Sequence, residues 1–158
     1  MTRLTPLTIR RGKVNEYLGM TIDLTTKGCV KITMHDFIKK LLMKVPQEMR
    51  GKRATAAPEY LFKTTDEDPT LLNDEQKSTF HTITATLLYL SQRGRPDLQL
   101  ATAFLCTRVK APNEHDWKKL THLVKYLDGT AHLPFVLSTK NQATTIYIDG
   151  AHMQCILI

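Results

Sequence analysis

The sequence predicts an α+β chain, and three observations carry that prediction. Residues 16–32 alternate apolar and polar positions on both sides of a glycine-bearing turn. Residues 73–129 carry three apolar stripes at helical spacing, separated by corners rich in Gly, Pro and Asn. Between them, residues 46–72 hold three prolines and no clear period.

In the first region, "EYLGMTIDL" places Leu18, Met20, Ile22 and Leu24 on one strand face and Tyr17, Gly19, Thr21 and Asp23 on the other. "TTKG" follows, with Gly28 able to take a positive φ, and "CVKIT" sets Val30 and Ile32 on one face. This is a β-hairpin pattern. "TMHDFIKKLLMKVP" then changes period: Phe37, Ile38, Leu41, Leu42 and Val45 form a helical stripe that Pro46 ends. Thr33 and Asp36 have capping-box spacing at its start. A connector as long as 46–72 is uncommon inside a compact domain, so it is expected to run over another surface.

Asn73, with Gln76 at the reciprocal position, caps the next helix, whose stripe is Phe80, Ile83, Leu87 and Leu90. Gly94 is expected to end it in a left-handed C-cap. Arg95 precedes a proline and is pushed out of the helical region, while Pro96 suits the first position of the following helix and Asp97 its N-terminal dipole. The corner should leave both arginines outward. Leu98, Ala101, Leu105 and Val109 line the second helix, flanked by Phe104. Asn113 caps the third, with Glu114 and Asp116 in its first turn; Trp117, Leu120, Val124 and Leu127 form its stripe, and Asp128-Gly129 stops it. Trp117 is expected in the core. "PFVLS" and "TTIYIDG" then read as short strands, and the ending "AHMQCILI" reads as the opening of a domain that continues. The expected division is 1–45 hairpin and helix, 46–72 linker, 73–130 three-helix unit and 131–158 β remnant.

Composition narrows the classes. Of 158 residues, 42% are hydrophobic and 23% charged, which excludes a disordered chain, and no apolar run approaches a membrane span. Cys29, Cys106 and Cys155 are odd in number and form no C-x-x-C pair, so they read as reduced thiols inside a cell rather than a disulfide frame. The N-terminus lacks the apolar block of a secretion signal. The net charge is +7 and uneven: residues 1–63 carry 13 Lys/Arg against 5 Asp/Glu, and residues 64–77 carry 1 against 5. A basic first half suits a polyanion such as nucleic acid, and equally an ordinary solvated surface. His35, His81, His115, His122 and His132 show no metal-ligand spacing.

"YLGMTI", "KITMHDFIKKLL", "FHTITATLLYLSQRGRPDLQLATAFL", "VKAPNEHDWKKLTHLVKYLDGT" and "IYIDGAH" stand in one order. In that order the chain resembles the C-terminal portion of a copia-type LTR-retrotransposon reverse transcriptase. The resemblance runs from about residue 13 to 152. It implies a primer-grip hairpin at Leu18, Gly19 and Met20, thumb helices, and at Asp149 the first carboxylate of an RNase H domain. It implies a thumb helix lying in the minor groove of a primer–template duplex, with Ala85 and Tyr89 at the small and aromatic places and His81 and Gln92 on the same face. Arg93, Arg95, Lys118 and Lys119 become candidate phosphate contacts. The implied partners are an RNA–DNA or DNA primer–template duplex and the palm, fingers and RNase H parts of the parent polyprotein, with no membrane.

The family's Tyr-x-Asp-Asp turn is not found in this sequence. The Mg²⁺ or Mn²⁺ of a complete polymerase needs at least two such carboxylates, so no cofactor and no polymerase or RNase H activity are expected of this stretch alone. The competing expectation is a small helical interaction module that does not bind nucleic acid.

Overall fold

A computed structural model describes residues 11–64 and 70–138, and the backbone alone of two further strands, 146–149 and 152–157. The architecture is α+β, and the chain divides into two compact units: Thr33–Phe135, and Met1–Ile32 with Val136–Ile158.

In the strand unit, β1 (Val14–Tyr17), β2 (Met20–Asp23), β3 (Cys29–Thr33) and β4 (Phe135–Ser138) form a sheet in that order. The single strand expected across "EYLGMTIDL" is instead folded back on itself. β1 and β2 are antiparallel, with Tyr17 opposite Met20, so Leu18 and Gly19 are the two central residues of a tight hairpin. Their φ values are 50° and 77°. Two consecutive positive-φ residues are what the right-handed strand twist demands of a two-residue turn. Alternation cannot reveal this break, because a two-residue turn keeps the apolar parity. Gly28 also has positive φ, 71°, as its turn requires. β5 (Ile146–Asp149) and β6 (His152–Leu157) form a separate antiparallel pair in which Asp149 faces His152.

The helical unit holds α1 (His35–Lys44), α2 (Asp74–Ser91), α3 (Gln99–Arg108) and α4 (Glu114–Gly129). Its core is built from the stripes read in the sequence: Phe80, Ile83, Leu87 and Leu90 of α2, Ala101 and Leu105 of α3 with Leu98 before it, and Leu120, Leu123, Val124 and Leu127 of α4. Full burial of each such Leu contributes roughly 1.5–3 kcal/mol. Asn73 and Gln76 make the expected capping box on α2, and Asn113 makes one with Asp116 on α4. The box expected at Thr33 does not form: Met34 is the N-cap of α1, without a side-chain cap bond. Met34 has another task, since it is buried against Gly94.

That packing explains Gly94 differently from a left-handed cap. Gly94 is not among the positive-φ glycines, which are Gly19, Gly28 and Gly51. A Cβ there would fall 2.8 Å from the Met34 Cγ and Sδ, so the residue is small to admit a neighbour. Pro96 takes the first position of a 3-10 turn, Pro96–Leu98, that leads into α3. Arg95 points inward rather than outward and is 3% exposed. Its Nε and Nη2 donate to the two Asp97 oxygens at 2.9 and 2.7 Å, and Nη1 donates to the Thr130 carbonyl at 2.9 Å. The corner is therefore clamped to the end of α4.

The long connector is a strap on α4. A 3-10 turn at Gln47–Met49 buries Met49, and Leu61 and Leu72 are also buried. Arg50 forks onto Asp128 at 2.9 and 3.2 Å, and the Gly51 N–H donates to the same carboxylate at 3.0 Å. The His122 Nε2–H donates to the Thr55 carbonyl at 2.9 Å, and the Lys119 Nζ to that of Lys63 at 2.9 Å. Trp117 is only half-buried, and its indole N–H reaches Glu48 on the strap at 3.0 Å. Leu123, outside the expected stripe, is buried, while Trp117 stays at the edge of the core where its N–H can reach a polar partner.

Candidate nucleic-acid interface

α2 buries one face and exposes the other. Ser78, His81, Thr82, Ala85 and Gln92 are exposed, and Tyr89 is half-buried. At 1.5 Å per residue, this uncharged row from Ser78 to Gln92 spans about 21 Å, the length of roughly six base steps at 3.4 Å. Such a face lacks the Lys and Glu of an ordinary solvated helix surface.

α1 supplies the charge beside it. Lys40 and Lys44 stand one turn apart, opposite the buried stripe of Ile38, Leu41 and Leu42. With Phe37 and Leu41 they form one wall of a groove of about 410 Å³, and Ser78, Thr79, Thr82, Ile83 and Thr86 of α2 form the other. Among the described residues, no carboxylate lines the groove. Its chemistry is two ammonium groups along a lip and four hydroxyl side chains on the opposite wall, which suits the sugar and phosphate edge of a polynucleotide.

Tyr89 is held by an aromatic and a cationic neighbour. Phe37 lies against one side at 5.1 Å between ring centroids, with the planes 27° apart, and the Arg93 guanidinium carbon lies 3.8 Å from its ring centroid. The arrangement fixes the aromatic edge and delivers a guanidinium to the end of the α2 face. Arg93 therefore joins His81, Ala85, Tyr89 and Gln92 in one place.

The other candidates separate. Arg95 is enclosed in the corner. Its partner Asp97 also accepts from the Tyr126 hydroxyl at 2.9 Å. Burial opposes ionisation of Asp97, but the Arg95 hydrogen bonds and charge, with the Tyr126 bond, outweigh it and hold the carboxyl below its ordinary value. Lys119 is 2% exposed, with its Nζ 3.7 Å from buried Asp116 and 4.6 Å from the centroid of the Phe104 ring. Its pKa is lowered, chiefly by burial. Neither side chain presents its charge to a surface ligand. Lys118 is exposed on α4 beside the strap. Leu18 and Gly19 form an exposed turn tip in the strand unit, and Met20 begins β2 half-buried. Asp149 ends β5, and its side chain lies outside the described residues.

Among the described residues, no three His, Cys, Asp or Glu side chains gather as a metal would require. The donor set implied by a polymerase metal pair is therefore not found there. No described helix is long and apolar enough to cross a membrane. Sequence reasoning missed Lys40 and Lys44. Their signal was present, two lysines at i and i+4 on the side away from an apolar stripe.

The chain is 25% identical over 146 residues to a Saccharomyces cerevisiae protein named "Putative transposon Ty5-1 protein". The match takes in 89% of this chain and 45% of that protein, so the chain spans about half the length of the relative it matches. No family model and no solved structure matches it.

Proposed function

We propose that this chain is the primer–template-holding part of a copia-type retrotransposon reverse transcriptase, an RNA-directed DNA polymerase that works inside the cell. The observation that carries the proposal is the α1–α2 groove. An uncharged helix face of duplex-scale length runs beside a groove edged by Lys40 and Lys44 and ends near Arg93, and among the described residues no carboxylate lines that groove. The ordered motifs shared with that family and the similarity to a transposon protein point the same way.

In this reading α2 lies along the minor groove. Ala85 permits close approach of the helix, and His81, Thr82 and Gln92 meet sugar edges, so groove shape is read more than base sequence. Lys40, Lys44 and Arg93 meet phosphates. The Leu18–Gly19 hairpin tip presents backbone to the primer strand, and Asp149 serves the RNase H site of the complete polyprotein. Chemistry at the primer terminus belongs to carboxylates elsewhere in the polyprotein, with Mg²⁺ or Mn²⁺.

Binding of a labelled RNA–DNA hybrid, followed by fluorescence anisotropy at two salt concentrations, tests this. Ala85→Trp should weaken binding while the protein stays folded. The rival reading, a helical module that does not bind nucleic acid, draws on the contacts of Tyr89 with Phe37 and Arg93, which serve packing as well as recognition. It gains if Ala85→Trp binds like the parent, or if the parent does not bind.

A further inference from the structure

A second basic site lies on α4, apart from the groove. Lys118, Thr121, His122 and Lys125 fall at i, i+3, i+4 and i+7, so they form one stripe down the helix. Arg53 and Tyr60 of the strap face that stripe, and the six residues line a cavity of about 210 Å³. Among the described residues, no α1 or α2 residue lines it, and no carboxylate does.

The cavity is built by the connector rather than left over beside a helix. Arg50 and the Gly51 N–H lock the entry of the strap to Asp128. Gly51 has φ +139°, a conformation that L side chains rarely adopt, and a Cβ there would meet the Lys125 stem at 3.7 Å. His122 is oriented by the bond to the Thr55 carbonyl. Gathering Arg53, Lys118 and Lys125 around one space, with no carboxylate lining it among the described residues, raises the folded-state energy through like-charge repulsion, and a bound anion relieves it.

Size and lining define the anion. The space, about 210 Å³, suits a phosphate with part of its hydration shell rather than a duplex. Arg53 offers a planar fork, Lys118 and Lys125 offer point charges and Thr121 a hydroxyl, a set matched to a tetrahedral oxyanion. Tyr60, 44% exposed, adds an aromatic face at the rim. Bases inside a duplex hide their faces from such a ring, whereas an unpaired strand presents them. None of the described lining residues is Asn, Gln, Asp or Glu, the side chains that read adenine and cytosine edges.

We propose that the α4–strap cavity binds a backbone phosphate of single-stranded nucleic acid, with an adjacent base stacked on Tyr60 and without sequence preference. This site does not depend on the duplex reading of the α1–α2 groove.

The test is anisotropy of a labelled oligo-dT of about ten nucleotides, within the site sizes such proteins use, on the full chain and its variants. Lys118→Ala/Lys125→Ala should weaken binding about tenfold or more and flatten the plot of log affinity against log salt by about 0.7, the share of the one phosphate that the cavity holds. Tyr60→Ala should weaken it about tenfold with the salt slope unchanged. Lys118→Ala alone, at an exposed position, should show half the slope change and covers the case in which the double variant does not fold. Parent-like binding by a folded Lys118→Ala/Lys125→Ala variant, or no binding by the parent, overturns the assignment. So does a phosphoserine peptide that displaces oligo-dT at equal concentration in a Lys118- and Lys125-dependent way, because the site would then recognise phosphoprotein.

Discussion

Replacing Arg95 decides whether the Arg-Gly-Arg-Pro-Asp corner is structural or a nucleic-acid contact. Its side chain is 4% exposed against 37% for Asp97. The guanidinium makes four hydrogen bonds, two to Asp97 and two to Thr130. Removing one partner of a fully buried pair costs about 3–5 kcal/mol. Here Asp97 keeps access to water, so its side of the loss is screened, and Arg95→Ala should cost about 3 kcal/mol, with the Thr130 carbonyl left without its donor. At roughly 4 °C per kcal/mol for a unit of this size, Tm should fall by about 12 °C. Arg95→Lys keeps the charge but not the fork and should lose about half as much. Circular dichroism melts and urea titrations measure both. If Arg95 were an outward phosphate contact, Arg95→Ala would leave Tm unchanged and lower the salt slope of duplex binding by about 1. That pair of results would refute the inward clamp.

Further outcomes follow from the same geometry. Trp117→Ala should cost only about 1–2 kcal/mol by urea denaturation, because the ring is half-exposed and loses mainly its bond to Glu48. Gly51→Ala should destabilise by about 1–3 kcal/mol in the same assay, since its φ of +139° is open essentially to glycine alone. Thr102→Val should be neutral or stabilising by about 1 kcal/mol, because the buried Thr102 Oγ1 has no hydrogen-bond partner. Burial opposes ionisation of Asp128, but the Arg50 and Gly51 hydrogen bonds and the Arg50 and Lys52 charges outweigh it and hold the carboxyl below its ordinary value. Asp97 is lowered as well. Their contribution is complete above the unfolded aspartate pKa of about 3.9 and is lost as pH falls through the lower folded values. The urea midpoint should drop below about pH 4, and Asp128→Asn should flatten that drop.

The helical core was legible because one stripe of Phe80, Ile83, Leu87 and Leu90 can face only one way, and Asn73 and Asn113 sit where a cap must. The hairpin tip was not, because Leu18-Gly19 preserves strand parity through the turn. The strap showed no period because its anchors, the Arg50–Asp128 and Thr55–His122 bonds, join single residues 78 and 67 positions apart in sequence. Arg95 and Lys119 read as surface charges because sequence spacing does not reveal a partner such as the Thr130 carbonyl or the Lys63 carbonyl. For the same reason half of the candidate site was visible. The uncharged α2 face follows from helical periodicity, whereas the placement of Lys40 and Lys44 beside it is a tertiary fact.

The most direct test of the duplex-holding role is the salt dependence of hybrid binding by Lys40→Ala/Lys44→Ala. For two lost phosphate contacts at about 0.7–0.9 each, the slope of log affinity against log salt should flatten by about 1.4–1.8 relative to the parent, with Tm unchanged because both side chains are exposed. An unchanged slope in a folded variant would contradict the account.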